Sequence, residues 1–261
     1  MGLFAQAHFY CETGKMEQYF HIEKTEHPEK LKAVYYLRYQ VFCEERGIIP
    51  KHLHPDQLEM DEYDARSRHF AAYYIKDRQI AGTVRLVQSE VLEQLPLSKK
   101  CWIDSALLPV GIDCRKCAEI SRLAISKRIR RRSTDGNYPQ EKEDDRNIRV
   151  KSDNRANFPE IILGLYKALY QETKLQGIEH WLAAMEPALV KLLRKLNIQF
   201  REIGPEADYY GPVKPYIASV SDFERSLFTW NPELYASFAD GLGPAYNPRF
   251  VRQQSPSKSF E

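Results

Sequence analysis

From Ala118 onward the chain alternates strand-like and helix-like stretches, and this alternation limits its possible architectures more than any other feature. Residues 118–126 (AEISRLAIS) read as a strand. Residues 158–176 place Ile161, Leu165, Ala168 and Leu169 at helical spacing before Gly177. A strand over 178–184, a helix over 187–196, and strands over 199–203 and 213–220 follow, the last after the turn Tyr209-Tyr210-Gly211-Pro212. A strand–helix–strand unit brings its second strand back in the direction of the first, so part of the sheet is parallel. The predicted class is α/β: a mixed central sheet flanked by helices.

The first half adds a helix and a hairpin. Thr25-Glu26-His27-Pro28 reads as a helix start, with Thr25 as cap and Pro28 where a missing N–H costs little. Leu31, Val34, Leu37 and Val41 then recur on one face, while Tyr35, Arg38 and Phe42 line a neighbouring face, and Gly47 ends the element. Residues 49–66 are a polar loop. Residues 68–75 and 80–88 form a predicted hairpin, in which Gly82, Val84 and Leu86 share one face and Thr83, Arg85 and Val87 the other. A short helix is predicted over 90–95, stopped by Pro96. Residues 133–157 are charged and poor in large apolar side chains, as in an insertion loop. One domain is predicted over 1–243, with a disordered tail over 244–261.

Composition excludes several classes. With 43% hydrophobic and 28% charged residues among 261, the chain has an ordinary globular balance. No stretch approaches the ~20 apolar residues of a membrane span, and the N-terminal residues show no secretory signal, so the expected location is cytoplasmic. A formal net charge of +2 argues against general nucleic-acid affinity. Five scattered cysteines suit reduced thiols better than a disulfide framework. Cys114 and Cys117 have the spacing of a zinc half-site, but no second half follows, and no metal is expected.

Four points carry potential chemistry: Arg38 with Phe42, Asp61 with Asp64, Arg85, and Glu119 with Arg122. Singly, each has an ordinary explanation as a solvated arginine, turn aspartates or a structural ion pair. Their order and spacing together resemble the acyl-homoserine-lactone (autoinducer) synthases, whose pattern is Arg and Phe four apart, D-x-x-D, a Gly-x-Val-Arg strand, and Glu-x-x-Arg. Here it falls on Arg38 and Phe42, Asp61 and Asp64, Arg85 in Gly82-Thr83-Val84-Arg85, and Glu119 and Arg122. One position departs. Six residues past the Phe the family has Trp and this chain has Ile48, which argues against a pocket for S-adenosylmethionine. The segments 186–193 and 209–216 resemble a sister group, the N-acyl amino acid synthases and the acyltransferases associated with PEP-CTERM/exosortase systems.

The resemblance implies a GNAT-like fold and transfer of a fatty acyl group from a carrier thioester to a small amine or amino acid. The donor it implies is an acyl carrier protein thioester, or acyl-CoA, with no permanently bound cofactor. Glu119 and Arg85 are the expected catalytic residues, Glu119 as the base, directly or through water. Arg38, Phe42, Asp61, Asp64 and Arg122 are expected to bind substrate, with the aspartates holding the acceptor's ammonium or the two arginines. Strand phase supplies a check. Glu119 and Arg122 are three apart, so a regular strand points them to opposite faces, and they can share a site only if a bulge resets the alternation. Lys127, Arg128, Arg130, Arg131 and Arg132 form a basic run suited to an acidic carrier protein. The competing readings are an autoinducer synthase using S-adenosylmethionine, a nucleic-acid-binding module using the run 127–132, and an inactive acyl-binding sensor.

Overall fold

The computed structural model describes residues 19–127, 157–248, 250 and 251. All but Asn157 of the insertion expected over 133–157, Arg128 to Arg132 of the basic run, and residues 252–261 lie outside the described residues.

The strands are β1 (Phe20–Thr25), β2 (Ser67–Tyr74), β3 (Ile80–Gln88), β4 (Cys117–Ile125), β5 (His180–Met185), β6 (Arg201–Glu202), β7 (Ala207–Asp208) and β8 (Pro212–Ser219). They lie in the order β1-β2-β3-β4-β5-β8-β6, with β7 also paired to β8. β1 to β4 form an antiparallel meander, β4 and β5 are parallel, and β8 runs antiparallel between β5 and β6. The helices are α1 (Pro28–Tyr39), α2 (Asn157–Leu175), α3 (Pro187–Lys195), α4 (Val220–Trp230) and α5 (Pro232–Ala239).

This is the mixed sheet with flanking helices that the alternation implies. On one face α2 packs Ile161, Leu165, Tyr166 and Leu169 against Phe70, Val84, Leu86, Ile120 and Trp181. The helix sits close: a Cβ on Gly82 of β3 would meet Ile161 Cδ1 at 3.0 Å and Ile125 Cδ1 at 2.8 Å. α1 covers the opposite face through Val34, Tyr35 and Leu37. β3 divides as its period-2 pattern demands, Val84 and Leu86 toward the α2 core and Val87 into a separate cluster with Leu97 and Leu182.

Several boundaries differ from the sequence reading. Thr25 ends β1, pairing with His69, and the N-cap of α1 is His27. β1 escaped notice because FHIEKT carries only two large apolar residues and lies at a sheet edge. α1 continues as a π-helical turn over Gln40–Glu45, and Gly47, at φ +62°, closes it. Residues 90–95 hold only a 3-10 turn, Leu92–Gln94. The strand expected over 199–203 shrinks to two residues, and α4 and α5 follow the last strand unforeseen. The tail is not free from residue 244. Pro244–Tyr246 forms a 3-10 turn, Phe250 meets Phe228 at 5.6 Å, and Val251 packs on the core.

Candidate active site

The sheet opens between β4 and β5. The ladder between β4 and β5 holds only for Cys117, Ala118 and Glu119 against His180, Trp181 and Leu182. Beyond it the two strands line opposite sides of a cleft of about 420 Å³, Glu119 to Leu123 on one wall and Ala183 to Glu186 on the other. The π-helical turn contributes Phe42, and the β7–β8 turn contributes Tyr209 and Tyr210. Ile162, Tyr166, Met185 and Leu189 make one part of the lining apolar.

At this opening β4 carries its irregularity. Thr83 pairs with Ala124 and Arg85 with Ser121, so one residue of β3 faces two of β4. Arg122 occupies the extra position at φ +53°, in the left-handed region that costs a side chain about 1–3 kcal/mol. The phase consequently flips. Glu119 and Ser121 lie away from the α2 core before the bulge, Ala124 packs on the α1 side after it, and Ile125 returns to the α2 core. Glu119 and Arg122 thus share the cleft, as the three-residue spacing required.

Behind the wall lies a largely buried charge network. Arg38 forks onto Asp64 with NH1 to Oδ1 at 2.7 Å and NH2 to Oδ2 at 3.1 Å, and its Nε donates to Glu59 at 2.5 Å. Arg85 donates to Asp61 at 2.5 Å, to Asp64 at 2.9 Å and to Ser121 Oγ at 3.1 Å. Arg122 donates to Glu59 at 3.0 Å and to Asp61 at 3.1 Å, and its guanidinium lies 5.9 Å from the Phe42 ring centroid. Three arginines meet three carboxylates, so the network is neutral as a unit. Burial opposes ionisation of Asp64, yet Arg38 and Arg85 hold its carboxyl well below the usual carboxylate range. Against the same penalty, Arg38 and Arg122 keep Glu59 low. His69 is buried beside Asp64, and burial lowers its pKa toward the neutral ring.

Glu119 is a fourth carboxylate, and among the described residues no arginine forms an ion pair with it. Burial pushes its pKa up to about 7, opposed by a 2.8 Å hydrogen bond from the Leu97 N–H and by the charges of Arg85 and Arg122. A carboxyl that changes protonation near neutrality, at the edge of an apolar-lined cleft, is suited to accept a proton from a bound reactant. Tyr209 faces the same point. Burial raises its phenol, while the nearby Arg122 cation draws it down.

Of the predicted residues, Phe42, Glu119 and Arg122 line the cleft. Arg38, Asp61, Asp64 and Arg85 are not on its surface. Arg38 and Arg85 are fully buried, and Arg85, expected at the reacting atoms, touches Asp61, Asp64 and Ser121, and through them braces the strand that carries Glu119. The aspartates grip arginines, the second of their two expected roles. Lys127 is exposed after β4. Ile48 lines the cleft where the autoinducer pattern has Trp.

Sequence reasoning passed over Glu59, Ser121, Arg46 and Glu186. Glu59 lies in a polar loop with no periodicity to mark it, and Arg46 and Glu186 pair across the cleft from distant positions. Among the described residues no group of three or more His, Cys, Asp or Glu is placed to hold a metal ion. Cys117 is buried in β4 with its thiol raised to about 12 by burial, and its Sγ donates to the Asp113 carbonyl at 3.4 Å. No helix of the described residues is long and apolar enough to cross a membrane.

Residues 37–136, which contain the cleft-lining Phe42, Glu119 and Arg122, match the family described as Acetyltransferase (GNAT) domain, and the match supports an acyltransferase activity. Among solved structures the chain is similar to BjaI, a CoA-dependent acyl-homoserine lactone synthase, at TM-score 0.56 and 18% identity over 83% of this chain and 89% of that one. It is similar to the AHL synthase LasI at TM-score 0.54 and 17% identity, covering 80% and 94%. FeeM, an N-acyl amino acid synthase from uncultured soil microbes, aligns at TM-score 0.48 and 12% identity, covering 79% and 94%. No curated protein matches the chain in sequence. The fold is GNAT-like.

Proposed function

We propose that this chain is an N-acyltransferase that moves a fatty acyl group from an acyl carrier protein thioester to a small amine or amino acid, of the PEP-CTERM/exosortase-associated type. The observation that carries the reading is the convergence of Glu119 and Arg122 where β4 and β5 part, beside an apolar-lined cleft. The acyl chain lies along Ile162, Tyr166, Met185 and Leu189. The thioester carbonyl sits at the opening, where unpaired backbone on the β5 side of β4 and the Arg122 cation favour the developing oxyanion. The acceptor nitrogen attacks the carbonyl carbon, Glu119 takes its proton directly or through water, and the carrier thiolate leaves. Arg38, Asp61, Asp64 and Arg85 act from behind, fixing the bulge in the one conformation that brings Glu119 and Arg122 together.

The basic residues Lys127, Arg128, Arg130, Arg131 and Arg132 are assigned to the acidic carrier. Charge reversal across them is expected to weaken carrier binding, with added salt doing the same. The solved relative BjaI is described as CoA-dependent, so acyl-CoA is the alternative donor. An autoinducer-type reaction with S-adenosylmethionine is the second reading, and Ile48 weighs against it. The test is mass spectrometry of lipid extracts from cells expressing the wild type or Glu119→Gln. A new N-acyl product present only with the wild type supports the proposal and names the acceptor. No acyl product from either, together with no transfer from acyl carrier protein in vitro, overturns it.

A further inference from the structure

We propose that Arg46 reads a carboxylate on the acceptor, which makes the substrate an amino acid rather than a simple amine; this rests on the acyl transfer proposed above. Among the described residues four charged side chains line the cleft: Glu119, Arg122, Arg46 and Glu186. Arg122 is committed, held by Glu59 and Asp61 with its side chain only 10% exposed. Arg46 differs. It stands at the end of the π-helical turn and pairs with Glu186, which precedes α3. Both side chains are 36% exposed, so this pair exchanges with solvent and solutes as the buried pairs cannot.

An arginine fork fits a carboxylate by two parallel hydrogen bonds. In this structure Glu186, from the opposite wall of the cleft, takes one such bond, from NH2 of Arg46 to its Oε1. An acceptor bearing its own carboxylate replaces Glu186 on Arg46 and leaves its amine free for Glu119 to deprotonate. A decarboxylated amine has nothing to offer Arg46 and leaves the Arg46/Glu186 pair closed across the cleft. Selectivity for the acid then comes from one exchange of partners, with Glu186 as the competitor.

The test uses matched pairs, glycine with methylamine, leucine with 3-methylbutylamine and tyrosine with tyramine, each offered with hexadecanoyl acyl carrier protein, and follows N-acyl product by mass spectrometry. The wild type is expected to favour the acid of an accepted pair. Arg46→Ala lowers the ratio of kcat/KM for acid over amine by about tenfold to a hundredfold, the worth of a charge-assisted hydrogen bond, and Arg46→Lys restores part of it. Glu186→Gln moves the other way, lowering KM for the acid severalfold because the competing carboxylate is gone. A merely structural clamp moves both variants in the same direction, and that result overturns the inference. Equal use of acid and amine by the wild type overturns it too, while leaving acyl transfer standing. No product from any pair removes the proposed function itself.

Discussion

The molecule uses arginine–carboxylate chemistry in two places, and the two differ in the water around them. Behind β3 and β4, Arg38, Arg85 and Asp64 are 4% exposed or less and every charge is matched. At the cleft, Arg46 and Glu186 form one pair with about a third of each side chain open. Burial turns the first set into a scaffold, because removing one member strands charges in a poorly polarisable interior. Exposure leaves the second set weak and exchangeable. The same residue types thus supply rigidity in one region and recognition in the other.

The largest effect is expected where the scaffold is cut. Asp64→Asn keeps the shape but removes the charge shared by Arg38 and Arg85, and is expected to cost about 3–5 kcal/mol of stability, read as a fall in the urea midpoint. Arg85→Ala is expected to behave similarly, since Asp61 and Asp64 then face each other without the cation. A midpoint unchanged in both variants would show that the network is dispensable and that the wall stands by apolar packing alone.

Next comes the carboxyl outside the balance. Glu119→Gln preserves an acceptor for the Leu97 N–H and removes the base, so kcat is expected to fall about 10²- to 10⁴-fold with folding intact. As a base Glu119 must be ionised, so kcat/KM of the wild type should rise with pH through about 7. The linkage has the opposite sign for stability. The folded pKa lies above the ordinary 4.5, so the folded state holds the proton longer than the unfolded one, and stability declines as pH rises between those values. Glu119→Gln should flatten that decline. A variant with the same pH–stability curve as the wild type would mean that Glu119 titrates normally.

A smaller shift is expected in the apolar lining. Leu189→Trp fills part of the cleft, and each methylene denied burial forgoes about 0.8 kcal/mol. The preferred acyl chain should shorten by a few carbons, read by competition between donors of different length. An unaltered preference would place the chain elsewhere.

What the sequence revealed follows the same division. The α2 and β5 elements were readable because Ile161, Leu165 and Leu169, and then the run before Met185, repeat with periods that local geometry enforces. The bulge was readable as a condition, since Glu119 and Arg122 could share a site only if the strand lost phase between them. Glu59 was not readable: its partners Arg38 and Arg122 lie 21 and 63 residues away, and a polar loop has no period to show which acid turns inward. Arg46 and Glu186, 140 residues apart, belong to the same class. α4 and α5 went unseen although Ser219 and Asn231 cap them by accepting from Asp222 N and Leu234 N, a signal that was present and unused. Four site residues were legible by type and spacing but not by depth. An Arg four before a Phe reads the same whether it lines a cavity or braces its wall.

The smallest expected effect concerns the exposed pair, and it separates recognition from support most cleanly. Arg46→Ala removes a half-solvated ion pair that salt already screens, so unfolding free energy should change by no more than about 0.2–1 kcal/mol, within a small shift of the urea midpoint. The buried arginines predict several times that loss for a single substitution. If Arg46→Ala instead destabilises the fold as much as Asp64→Asn does, the pair is part of the scaffold, the contrast between the two regions disappears, and any change in acceptor preference in that variant reflects a damaged cleft. A stability change near zero together with a collapsed acid-to-amine ratio assigns to Arg46 a role that only a contact with the substrate can give.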